Sequence, residues 1–163
     1  MATKSKTGKF EEVRKEADRI NSEARTADRL MEGIARLLNK EMLKYNWVGF
    51  YMLEAGANPP ALVLGHYQGA MTVHTRISLH QGICGAAAST GRTVIVDDVN
   101  ADPRYLACSL DTRSEIVVPI FVKGEVVGEL DIDSHTLAAF TADDRQLVEH
   151  CARLIGIYLE KTT

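Results

Sequence analysis

Two strand-like stretches, Ser114–Val122 and Glu125–Asp133, meet at a Lys123-Gly124 step, and nothing else in the chain constrains the fold as strongly. The first is a nearly continuous apolar run rich in Ile and Val, and in the second charged and apolar residues alternate with the period of a pleated strand. A short Gly-containing step between two such runs marks a hairpin. In the second run Glu125, Val127, Glu129, Asp131 and Asp133 share one face, which leaves Val126, Gly128, Leu130 and Ile132 for the core. Asp131 and Asp133 then project side by side near one strand end. Their face is either a solvated outer surface or part of a carboxylate cluster, and the hairpin register decides between these. A plain two-residue turn pairs Val122 with Glu125 and leaves Glu115 opposite Ile132. A three-residue turn with Gly124 left-handed and a bulge pairs Phe121 with Glu125, which sets Glu115 opposite Asp131. The bulged register is the expected one. It gathers Glu115, Asp131 and Asp133, and such a cluster needs a cationic ligand, shared protons or both.

The rest of the chain supplies support for this hairpin. Lys9 to Ala24 reads as a helix with a thin apolar face (Val13, Ala17, Ile20, Ala24), suited to a surface position or to pairing in a dimer. Thr26 to Leu43 carries a stronger stripe of Leu30, Ile34, Leu37, Leu38 and Met42 at helical spacing. Asn46 to Leu53 switches to period two, with Val48, Phe50 and Met52 on one side and Trp47, Gly49 and Tyr51 on the other. After a turn at Pro59-Pro60 the chain returns over Ala61 to Tyr67 as a hairpin partner. Gly82 to Thr90 suits a short helix, Thr93 to Asp97 a short strand, and Val99 to Thr112 an irregular loop. A last helix opens at Thr141-Ala-Asp-Asp144, a near capping box, and runs to about Lys161, with Leu147, Cys151, Leu154 and Tyr158 on one face. Cys151 reads as a small core residue. No βαβ alternation is present, so an α+β fold is expected, with an antiparallel sheet and helices packed on one face. Residues 1–25 form a helical extension in this reading and 26–163 one domain.

Composition excludes several classes of function. A net charge of −3 over 163 residues gives no reason to expect nucleic acid or an anionic membrane as partner. The longest apolar run, Ile116 to Val122, is too short to span a bilayer, and the basic N-terminus lacks the apolar segment of a secretory signal. Three cysteines point to a reducing, cytoplasmic compartment. Cys84 lies near the start of a helix, and Cys108 in a loop flanked by Arg104 and Arg113, settings that favour thiolate. The two are either a redox pair or incidental small residues. They match no common zinc spacing and complete no metal set with His74 and His80, so neither metal nor cofactor is expected. Trp47 and Tyr51 share a strand face, either packed under helices or forming an aromatic wall for a small ligand.

Taken together, N-W-V-G-F-Y at 46–51, Y-Q-G at 67–69, G-I-C-G at 82–85, L-A-C at 106–108, S-E-I-V-V-P-I at 114–120 and G-E-L-D-I-D-S at 128–134 resemble the free methionine-(R)-sulfoxide reductases, which are single GAF domains. The resemblance implies a GAF-like antiparallel sheet with the N- and C-terminal helices on one face and a ligand pocket on the other. It implies reduction of free methionine-(R)-sulfoxide, with Cys108 as catalytic and Cys84 as resolving cysteine. Trp47, Tyr51, Glu115, Asp131 and Asp133 match the substrate-binding residues. A thioredoxin-like reductant and a homodimer are implied as well. The alternative is a non-catalytic GAF module that binds a small molecule as a sensor. One departure stands out: relatives commonly carry a third cysteine where this chain has His74.

Overall fold

The computed structural model describes residues 6–107 and 109–162. Cys108, expected as the catalytic cysteine, lies outside the described residues. The chain folds as α1 (Lys6–Glu23), α2 (Ala27–Glu41), β1 (Trp47–Leu53), β2 (Ala61–Gln68), β3 (Arg76–Ser78), α3 (Gly82–Thr90), β4 (Val94–Val96), β5 (Ser114–Val122), β6 (Glu125–Ser134) and α4 (Ala142–Lys161), with a 3-10 turn at Val99–Ala101. The six strands form one sheet in the order β3-β2-β1-β6-β5-β4, every neighbouring pair antiparallel. Among the described residues, no helix is long and apolar enough to cross a membrane.

One sheet face carries the main core. Val48 and Phe50 of β1, Ile116, Val118 and Ile120 of β5, and Leu130 and Ile132 of β6 pack against Leu30, Ile34 and Leu38 of α2 and Leu147, Cys151 and Ile155 of α4. Thr26 caps α2, its hydroxyl accepting from Arg29 N. At the start of α4 the expected capping box is complete, with Thr141 N donating to Asp144 Oδ2 at 2.8 Å. Buried Asp144 also accepts from Tyr45 Oη at 2.6 Å, which ties the helix start to the segment entering β1. The thin apolar face of α1 is used within the chain: Val13 and Ala17 join this same core. Lys9 pairs with Glu41, and Tyr158 Oη donates to Ala24 O.

The opposite face is smaller and carries the polar chemistry. Trp47 and Tyr51 of β1, Leu62 of β2 and Val117 of β5 pack with Ile83, Cys84, Ala87 and Ala88 of α3. The helices therefore divide: α1, α2 and α4 cover one face, while α3 closes the other beside the pocket region. Strand β3 was not expected from the sequence. Three residues at a sheet edge show no periodicity to read.

The β5–β6 hairpin corrects the expected register. Lys123 (φ 52°) and Gly124 (φ 78°) are both left-handed, which makes a tight two-residue turn pairing Val122 with Glu125. A bulge does occur, but higher up: Phe121 pairs with Val126 and Ile120 with Gly128, so Val127 is the extra residue. The shift places Glu115 opposite Asp133 rather than opposite Asp131. It also reverses the facing of the residues below it. Val126 packs on the α3 side and Val127 on the main core, opposite to the plain alternation. Above the bulge Glu129, Asp131 and Asp133 keep the expected common face.

Candidate functional site

Register across three strands builds the site as rows of side chains on one face. Trp47, Asp133 and Glu115 lie in one row; Gly49, Asp131 and Val117 in the next; Tyr51, Glu129 and Pro119 in a third. Gly49 matters because an added Cβ would collide with the indole of Trp47, which lies across that position. The Trp47 indole also stacks on Tyr67, with ring centroids 5.6 Å apart. Its Nε1–H donates to Ala70 O at 3.0 Å, and Tyr51 Oη donates to His74 O at 2.7 Å. The aromatic wall is thus fixed at both ends by the segment between β2 and β3.

A pocket of about 180 Å³ opens against this wall, lined by Trp47, Tyr51, Met71, Thr112, Asp131 and Asp133 together with Asn46, Ala70, Thr72, Ser109 and His135. It holds roughly six waters' worth of space, fit for one small polar molecule. A second cavity of about 20 Å³ lies deeper, where Cys84, Glu115 and Asp131 meet beside Tyr51, His74 and Leu106. A larger open groove of about 510 Å³ runs along α4 past Arg92, Phe121 and Ile157, but neither thiol nor clustered carboxyl reaches it.

The carboxyls are buried almost completely: Glu129 is 0 % exposed, Asp131 4 %, Glu115 5 % and Asp133 6 %. The solvated-surface alternative is therefore wrong for this end of β6. Among the described residues none of the four forms an ion pair. Burial pushes all four carboxyls up. The charges of Asp131 and Asp133 raise Glu115 further, and that of Asp131 raises Asp133 and Glu129. Hydrogen bonding to Glu115 and Cys84 partly offsets the rise at Asp131. The cluster consequently favours holding protons above the ordinary carboxylate range.

Cys84 sits in the first turn of α3, yet the expected bias toward thiolate is overturned. The residue is buried, its Sγ donates to Asp131 Oδ2 at 3.4 Å, and burial, then the charges of Asp131, Glu129 and Glu115, push its thiol well up. Facing negative charge outweighs the end of a nine-residue helix. Arg104, one of two arginines expected to flank Cys108, is engaged by Asp102 at 2.7 Å. Cys151 is a core residue as expected, and burial pushes its thiol up to about 12.

The sequence reading missed Glu129 as a site residue. It lies in the third row, and neither carboxyl oxygen meets a hydrogen-bond partner in good geometry among the described residues. Its place on the carboxylate face was legible, but its burial under α3 was not. His74 was also passed over as a contact: its Nε2 lies 3.1 Å from Ala107 O, at the residue before Cys108. Linear spacing offered no metal set, but the fold brings one donor atom each from Cys84, Glu115 and Asp131 within 4.8 Å of one another.

The fold and the polar face define a class, and a GAF domain family model matches residues 26–159. The chain is 36% identical over 124 residues to the free methionine-R-sulfoxide reductase of Escherichia coli, covering 74% of this chain and 72% of that one. It is 42% identical over 112 residues to the Saccharomyces cerevisiae free methionine-R-sulfoxide reductase, covering 68% of this chain but 61% of the yeast protein. Among solved structures, the Neisseria meningitidis free methionine-R-sulfoxide reductase in complex with its substrate superposes with a TM-score of 0.89 at 33% identity, covering 98% of this chain and 93% of that one. This protein is a GAF domain. Within that class it belongs to the free methionine-R-sulfoxide reductase family.

Proposed function

We propose that this chain reduces free methionine-(R)-sulfoxide to methionine with Cys108 as the attacking thiolate. The observation that carries the proposal is one small pocket bounded by Trp47, Tyr51, Asp131 and Asp133, with Glu115 and Cys84 directly behind Asp131. In this reading the substrate's ammonium faces Asp133 and Asp131, and its carboxylate meets the donors of Ser109, Thr112 and His135 at the pocket mouth. The sulfinyl end lies along the Trp47–Tyr51 wall, where sulfur gains from an aromatic contact. A pocket of about 180 Å³ suits a free amino acid.

The chemistry follows from the carboxyls' protons. The Cys108 thiolate attacks the sulfoxide sulfur while a protonated carboxyl of the cluster delivers its proton to the oxygen. Two electrons pass to the substrate, methionine leaves, and the oxygen remains on Cys108 as a sulfenic acid. The Cys84 thiol then attacks that sulfur, its proton leaves with the hydroxyl as water, and a Cys84–Cys108 disulfide forms. An external dithiol of thioredoxin type takes up the oxidising equivalents. A cytoplasmic setting and a homodimer belong to the same proposal, the latter checked by light scattering.

Turnover of free methionine-(R)-sulfoxide with dithiothreitol, parent against Cys108→Ser, tests the reaction. Activity confined to the parent is expected. Equal background rates with substrate binding intact would sink the enzyme reading in favour of the sensor. Mass spectrometry after substrate alone should reveal the Cys84–Cys108 disulfide, and two free thiols would remove Cys84 from the cycle.

A further inference from the structure

Three donors of mixed type converge where the reductase reading uses them for other purposes. Cys84 comes from α3, Glu115 from β5 and Asp131 from β6, and one ligating atom of each lies within 4.8 Å of the other two. The Cys84 Sγ to Asp131 Oδ2 separation of 3.4 Å is close to the edge of a zinc tetrahedron. That edge is about 3.5 Å for Zn–S and Zn–O bonds of about 2.3 and 2.0 Å. The three line a cavity of about 20 Å³, room for one water or one ion.

An independent observation points the same way. Glu129 stands outside this set, is wholly buried, and leaves both oxygens without a well-formed hydrogen bond among the described residues. It interacts with both Cys84 and Asp131, two of the three donors, without itself lining the cavity. Asp131 Oδ1 is also without a partner there. Buried polar atoms are nearly always satisfied, and a group of orphans around a small cavity asks for an occupant that accepts several anionic donors at once. Water supplies two donors. A divalent cation supplies a charge that offsets the packed carboxylates.

We propose that Cys84, Glu115 and Asp131 form a binding site for one thiophilic divalent cation of the Zn²⁺ class, with a water as fourth donor. The ion replaces the thiol proton of Cys84 and protons held among the carboxyls, all of which pass to solvent. Thiolate with carboxylate selects Zn²⁺ over Mg²⁺ or Ca²⁺, which prefer all-oxygen sets. The site does not rest on the reductase reading. If both hold, the metal-bound form keeps Cys84 from attacking Cys108, and the ion and the substrate compete for Asp131.

Co²⁺ is the probe. Reduced, metal-free full-length protein titrated with Co²⁺ should gain a near-ultraviolet thiolate-to-cobalt charge-transfer band that saturates at one ion per chain, and Zn²⁺ should bleach it. Cys84→Ser should abolish the band, and Cys108→Ser should keep it. Asp131→Asn and Glu115→Gln should each weaken binding at least about tenfold with an unchanged circular-dichroism spectrum. No band in the folded parent, a band surviving Cys84→Ser, or a band lost with Cys108→Ser would overturn the proposal. So would unchanged affinity in both carboxamide variants. If Cys84→Ser does not fold, the two carboxamide variants decide.

Discussion

The Nε2 of His74 meets the carbonyl oxygen of Ala107 at 3.1 Å, so the segment entering β3 holds the chain one residue before Cys108. The bond requires the Nε2–H form of the ring, with the ring as donor. The same segment accepts the Tyr51 hydroxyl through His74 O. His74 therefore links the aromatic wall to Ala107. His74→Ala should lower kcat/KM about three- to tenfold, the range of one hydrogen bond of about 0.5–1.5 kcal/mol. The expected loss is in kcat, with KM and thermal stability unchanged. His74→Gln, which keeps a donor, should recover part of it. A change confined to KM would show that His74 acts on substrate rather than on the loop.

Glu129 makes a prediction with a definite sign. Burial holds its folded carboxyl well above the ordinary value of 4.5. Below about pH 4 it is protonated folded and unfolded alike and costs nothing. As pH rises through its unfolded pKa, the unfolded chain ionises freely while the folded chain does not, and stability from this group falls. Glu129→Gln cannot ionise, so it should match the parent near pH 4 and exceed it by about 1–3 kcal/mol at neutral pH. Urea denaturation at the two pH values, with a chelator present, checks this. A stability difference that does not grow with pH would mean that Glu129 is already paired.

Much of this architecture was legible, and the failures have definite causes. The faces of Trp47–Leu53 and the capping box at Thr141 follow from local spacing, and both stand as read. The bulge was foreseen in kind but not in place: it was expected at the turn on Gly124, but Lys123 and Gly124 are both left-handed and close a two-residue turn, which moves the extra residue up to Val127. Only packing against α3 on one side and the main core on the other selects Val127. The meeting of Cys84 with Asp131 depends on α3 docking over the sheet, a tertiary event that no spacing along the chain encodes. Glu129 shares its face with two aspartates in the sequence, but its burial comes from that same docking.

Cys151 separates structural from reactive thiols. It lies fully buried in the main core, and its thiol is pushed up to about 12, first by burial and then by the charge of Asp18. Iodoacetamide at about pH 8 should leave Cys151 unmodified in the native protein and label it in urea, as mass spectrometry will show. The folded pKa lies above the ordinary value of 9.0, so its contribution to stability is complete below about pH 9 and is lost as pH rises toward 12. Cys151→Ala should keep turnover and lose less stability than the parent across that alkaline range. Native labelling at neutral pH would place the thiol outside the core.

Asp133 tests how the pocket reads charge. It sits in the row between Trp47 and Glu115, lines the small pocket, and has one carboxyl oxygen without a partner among the described residues. An ammonium placed there gains charge-assisted hydrogen bonds worth about 1.5–3 kcal/mol. Asp133→Asn keeps the shape and removes the charge, so KM for free methionine sulfoxide should rise about ten- to a hundredfold. N-acetyl methionine sulfoxide lacks the ammonium and should bind parent and variant equally poorly. Asp133→Asn also relieves like-charge crowding with Glu115 and Asp131, so the substrate-free variant should unfold at higher urea than the parent. Weaker substrate binding together with higher stability is the signature of a charge held for a ligand, and a purely structural carboxyl would lose stability instead.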